Sequence, residues 1–146
     1  MAYTAAPEGW WQDFVGGETA RTAKLAVVRA DGSPQVVPVW VALDPATDEI
    51  VFTTGADTVK GKAIARDPRV CLCWDDEQPP FNFVMIRGTA RTSDDHDEVY
   101  RWAGRLGARY MGAHREKEYA DRNGVPGELL VRVTPEQVVA RVDVAN

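Results

Sequence analysis

Two valine-rich runs, Lys24 to Arg29 and Gln35 to Leu43, flank the turn Ala30-Asp31-Gly32-Ser33-Pro34. Two β-favouring runs joined by so short a turn pair most cheaply with each other, because that closes the smallest loop. The expected product is an antiparallel hairpin. Pro38 interrupts its second strand, and since proline cannot donate to a ladder, it predicts a bulge or an edge position. The same grammar continues downstream. Ile50 to Thr54, Val70 to Trp74, Phe81 to Arg91, Leu129 to Val133 and Val138 to Val142 all read as strands. Gly88 marks a bend in the longest of them, and Thr134-Pro135 separates the last two.

Helices are few. Pro7 to Val15 carries Trp10, Trp11 and Phe14 and stops at Gly16-Gly17. Asp57 or Thr58 can cap a helix running to Arg66, which Asp67-Pro68 ends. Ser93 to Glu98 is an acidic helix start that suits the helix dipole. It leads into a buried stripe of Val99, Trp102, Leu106 and Tyr110. Arg101, Arg105 and Arg109 form a second stripe, the pattern of a solvated or salt-bridged face. Arg115 to Asn123 reads as another short helix. Six or seven short strands with a few flanking helices describe an α+β domain on a small antiparallel barrel, one domain over residues 1–146.

Composition narrows the partners. The net charge of −5 and pI of about 5.0 argue against a nucleic-acid surface, which needs cations to displace counterions, and against anionic membranes. No apolar run approaches a membrane span, and the first residues lack the pattern of a signal peptide, so a cytoplasmic location is expected. Cys71 and Cys73, two apart on a strand, share one face and cannot easily bridge each other. They read as small buried strand residues. With two well-separated histidines, no metal site is expected. His96, in an acidic run, and His114, in a loop, read as surface residues.

Chemistry concentrates between Glu49 and Val70. A strand ends in Phe52-Thr53-Thr54, a glycine follows, and a helix begins with Lys60 and Lys62. Phosphates bind where N–H groups of a helix start, hydroxyls and a cation converge. Lys62 lies about 200° around the helix from Lys60, so both reach one phosphate only at the helix start. Asp57 is a tension, since its carboxylate competes for the same N–H groups. On spacing alone, a solvated lysine face beside strand threonines is the simpler reading. Pro38-Val39-Trp40-Val41 adds an apolar strand along which a flat aromatic ring could lie, or else Trp40 is a core residue. No nucleophile elbow, dinucleotide or P-loop glycine pattern, or paired-carboxylate signature is present, and no catalytic residue is identified.

Read in order, these pieces resemble the flavin- and deazaflavin-dependent split-barrel family related to pyridoxamine 5′-phosphate oxidase. The matching segments are Asp31 to Val41, Ile50 to Thr54, Lys60-Gly61-Lys62 through Asp67-Pro68-Arg69-Val70, and the strand ending Arg87-Gly88-Thr89-Ala90. Ala108-Arg109-Tyr110-Met111-Gly112 and Val125 to Leu130 are similar to actinobacterial members assigned to coenzyme F420, a deazaflavin. The resemblance implies an antiparallel split β-barrel and a homodimer with cofactor sites at its interface. It places the cofactor ring along Pro38, Val39, Trp40 and Val41, and its phosphate near Thr53, Thr54, Lys60 and Lys62. It implies hydride transfer from reduced F420 to a small conjugated organic substrate, with Asp75 to Pro80 and Arg109 to Arg115 as pocket walls. Two departures stand out. FMN oxidases of the family carry an arginine where this chain has Val59, and a C-terminal arginine/histidine cluster where it has only Arg141. Both lean away from pyridoxamine phosphate oxidation. An FMN-dependent oxidase or reductase, and a flavin or deazaflavin carrier without turnover, are the alternative expectations.

Overall fold

A computed structural model describes residues 3–145. The strands are β1 (Thr4–Ala5), β2 (Ala23–Val28), β3 (Pro34–Val39), β4 (Ala42–Leu43), β5 (Ile50–Gly55), β6 (Arg69–Asp75), β7 (Phe83–Ser93) and β8 (Glu128–Val142). The helices are α1 (Trp10–Gly16), α2 (Val59–Arg66), α3 (His96–Met111) and α4 (Glu116–Asn123), with a 3-10 turn at Ala113–Arg115. Every pairing is antiparallel, and the order across the sheet is β3-β2-β6-β7-β8-β5-β4, with β1 against β8.

That order forces curvature. β3 and β4 lie at opposite ends of the sheet, yet only Trp40 and Val41 separate them in the chain. Two residues span roughly 7 Å, so the two edges must come together. The sheet curls into the expected split barrel, with its seam at Trp40-Val41. The main core fills the inside with Leu25, Val27, Phe52, Leu72, Trp74 and Ile86, joined by Phe14 of α1 and Ile64 of α2. A second cluster lies outside the barrel, where Val99 and Trp102 of α3 cover Val51 of β5 and Leu130 of β8.

The expected long second strand is divided. Pro38 keeps its place in the ladder opposite Lys24, which is possible because β3 is an edge strand and the missing N–H faces no neighbour. The break falls instead at the seam. The two expected C-terminal strands are one, Glu128–Val142, carried past Pro135 by an irregularity in register beside Arg87 and Gly88. Gly88 is required there, since a Cβ would overlap the Thr134 carbonyl oxygen.

Cys71 and Cys73 are free and half-buried, on the outward face of β6. The inward positions belong to Val70, Leu72 and Trp74. Burial pushes both thiols up from their ordinary range, which makes them poor nucleophiles. In the arginine stripe, Arg101 and Arg105 are exposed as expected. Arg109 is not solvated: its guanidinium donates to the carbonyls of Val15, Gly16, Gly17 and Thr19 at 2.7–3.4 Å. A cation on the last carbonyls of a helix satisfies acceptors that the helix leaves open, and here it ties α1 to α3. No helix among the described residues is long and apolar enough to cross a membrane.

Candidate cofactor site

The β5–α2 junction is built around Thr58. As the N-cap of α2, its hydroxyl accepts from the Gly61 N–H at 3.0 Å and donates to the Gly55 carbonyl at 2.8 Å. One hydroxyl has a single proton to give, so the 3.0 Å contact between Thr58 and Thr54 is a donation by Thr54. Thr54 is 3% exposed and its proton is spent inside the turn. It shapes the junction from within. Thr53 is half-buried on the opposite face of β5, the face that also carries Val51. Asp57 is exposed and does not cap the helix. The carboxylate that competition arguments place at the helix start is therefore absent from it.

With Thr58 occupied by Gly61, the N–H groups of Val59 and Lys60 have no protein acceptor among the described residues. Gly61 is what lets the helix begin so close to the strand, because a Cβ there would overlap the Gly55 carbonyl oxygen. Lys60 is half-buried in this first turn. Two free N–H groups, one ammonium and a positive helix end form a donor set suited to a single phosphate.

Glu128, at the start of β8 and opposite Gly55, is the counterweight. Burial pushes its carboxyl above the ordinary range, and Lys60 pulls it partly back. Glu128 thus lies within electrostatic reach of Lys60, with no salt bridge between them among the described residues. Lys62 is elsewhere: it is exposed and lines a cavity of about 290 Å³ with Arg29, Asp31, Val59 and Arg66. Lys60 is not among the residues that line it.

At the seam, Val39 and Val41 are buried and Pro38 is exposed on the outward face. The Trp40 indole is half-buried, stacked on Tyr110 with centroids 5.2 Å apart and planes 4° apart, with Tyr119 against its edge at 5.6 Å. The face of Trp40 on that side is already taken. What the segment offers a ring is its backbone and the outward surface of Pro38. His96 and His114 are exposed, as expected.

Sequence reasoning gave Glu128 no role of its own, and read Tyr110 and Arg109 as members of helical stripes and, by resemblance, of a pocket wall, without their contacts at the seam and at the end of α1. Nothing local marks Glu128 as a neighbour of Lys60, 68 positions earlier in the numbering. Gly61 between the two lysines was the visible sign of a tight junction.

The same architecture recurs in solved structures. A conserved hypothetical protein of Mycobacterium tuberculosis superposes with a TM-score of 0.83 at 23% identity, over 98% of this chain and 89% of that one. A protein described as an F420 reductase gives 0.69 at 24%, over 91% and 98%. A FAD-binding protein of Mesorhizobium loti gives 0.65 at 19%, over 96% and 97%. At these identities the likeness is one of fold. None of the curated proteins matches the chain in sequence. Family membership rests on a different finding: the model for pyridoxamine 5′-phosphate oxidase matches residues 12–141, a span that takes in the seam, the cradle and most of the sheet, and the chain belongs to that family.

Proposed function

We propose that the protein is an oxidoreductase that binds coenzyme F420 and passes a hydride from its reduced form to a small conjugated organic molecule. The observation that carries the reading is the cradle at the start of α2: one half-buried lysine with two N–H groups left free by the Thr58 cap. It matches a cofactor with a single phosphate. The reductase among the structural relatives supports the deazaflavin. So does Val59, which is 51% exposed where FMN oxidases place an arginine. The FAD-binding relative keeps the flavin alternative in view.

When bound, the cofactor supplies the hydride. The chain's own tasks are to hold and orient it. Lys60 neutralises the phosphate, while Thr53 and Thr54 frame the strand end. Lys62 adds a longer-range positive field from the neighbouring cavity. Pro38 to Val41 support the ring. A homodimer would complete the site. The outward face of β3, β2, β6 and β7 carries Val36, 67% exposed, with Pro38, Ala26, Val28, Cys71, Cys73 and Met85, and the charged Lys24 and Arg87 among them. The apolar part of this face needs a cover, and a second copy seated there would bring its own residues beside Pro38.

Titrating the purified protein with oxidised F420 and with FMN, followed by absorbance and fluorescence, tests the proposal. Tight binding of F420 together with reduction of activated alkenes by its reduced form is expected. Tight FMN binding with no deazaflavin binding would overturn the cofactor assignment. Binding without turnover on any acceptor would make the protein a carrier.

A further inference from the structure

The register of the β2–β3 hairpin does not end where its hydrogen bonds do. Ala23 pairs with Val39, so two further residues on each strand would set Arg21 opposite Val41. They do not pair. The Tyr110 hydroxyl, from the last turn of α3, lies between them: 2.6 Å from the Arg21 carbonyl oxygen and 3.1 Å from the Val41 nitrogen. It donates to the first and accepts from the second, replacing one direct strand-to-strand bond with a bridged pair. The strands are held apart by the width of a hydroxyl. Val41 is thereby released from β2, and the next two residues pair with β5 at the other end of the sheet. The Tyr110 ring meanwhile fixes Trp40 by stacking, and Arg109 beside it locks α3 to the carbonyls ending α1.

We propose that Tyr110 is a positioning residue: its hydroxyl is the wedge that opens the barrel seam and, through it, sets the backbone of Pro38 to Val41 for the cofactor ring. The second half rests on the cofactor reading above. Tyr110 need not touch the cofactor; it acts through Val41 and Trp40.

Two variants on the same helix separate this from a general loss of packing. Tyr110→Phe removes the wedge, while Tyr100→Phe removes a comparable phenol bond, to Asp121 at 2.7 Å, away from the seam. Both are titrated with oxidised F420 well below their melting temperatures, and amide exchange is read at Val41. Tyr110→Phe is expected to bind about tenfold more weakly, the scale of one lost hydrogen bond, and to speed Val41 exchange at least as much. Tyr100→Phe is expected to change neither. Unchanged affinity and unchanged exchange in Tyr110→Phe overturn the wedge. Faster exchange with unchanged affinity keeps the wedge and overturns its role in positioning. If the wild-type protein binds neither F420 nor FMN, the cofactor reading falls with the positioning role, and Val41 exchange alone decides the wedge. A Tyr110→Phe protein that does not fold is replaced by the wild-type measurement, in which Val41 must be protected and the neighbouring Trp40 amide must not.

Discussion

The two halves of the candidate site are made in opposite ways. The cradle at β5–α2 is assembled from residues no more than seven positions apart, Thr54 to Gly61, and the bonds of its cap run between near neighbours. The seam at Trp40-Val41 is held by Tyr110, 69 positions away, and braced by Arg109, 90 or more positions from the carbonyls it meets. A local motif survives as long as its turn can form. A seam bridged from a distance exists only when the whole sheet has closed. The cradle should therefore tolerate damage to the seam better than the seam tolerates damage to its clasp.

The hardest test of that contrast is Arg109→Ala. It strips a half-buried cation from the end of α1 and leaves the Val15 and Gly17 carbonyls without their partner, so a loss of about 3 kcal/mol is expected in denaturant unfolding. Phosphate binding to the protein that remains folded should change by less than about twofold; a parallel loss would show the two halves to be one unit. Gly61→Ala strikes the other half. Its Cβ meets the Gly55 carbonyl, and forced separation of α2 from β5 should lower stability by about 2 kcal/mol and abolish anion binding while leaving Val41 exchange untouched.

Lys60→Ala should weaken cofactor binding by about 1–3 kcal/mol, the range for a charged hydrogen bond, with a melting curve close to wild type. Unchanged affinity removes Lys60 from the site. Glu128→Gln acts in the opposite direction, since it removes a negative charge from the surroundings of Lys60 and should tighten anion binding. Its effect on folding has a defined sign. Burial raises the carboxyl, so the folded state holds the proton more firmly than the unfolded chain does. Stability then falls as pH rises from the ordinary glutamate value of 4.5 through the raised one. The variant should accordingly gain on wild type above that window and match it below, a difference visible in melts at pH 4 and pH 8. Lys62→Ala, on the neighbouring cavity, should produce the smallest change, a weakening of no more than about threefold.

Much of the fold was legible from sequence. The hairpin around Asp31-Gly32, the Thr58 cap, the stop at Asp67-Pro68 and the acidic start of α3 follow from bonds within a few residues, and the structure places them within a residue or two of expectation. The departures share a cause. Pro135 reads as a strand break, but β7 offers it a register irregularity at Gly88. The cysteines read as small buried strand residues, but they are half-buried, and the core face of β6 belongs to the residues between and beside them. Arg109 reads as solvated or salt-bridged, but the carbonyls of a helix end from elsewhere in the chain occupy its donors. For Pro135 and Arg109 the deciding partner is remote in sequence; for the cysteines it is which face of β6 the closed sheet turns inward.

The chain's local chemistry determined the strand order of hydroxyls, glycine and lysine that makes an anion cradle, because propensity, capping and turn geometry act over one helical turn. The tertiary structure alone decided that Glu128 comes within electrostatic reach of Lys60, that Lys62 lines a cavity with Arg29 and Arg66, and that a tyrosine from α3 parts the β2–β3 hairpin at Val41. Those outcomes depend on which edges meet when the sheet curls, and closing the barrel is a property of all its pairings at once.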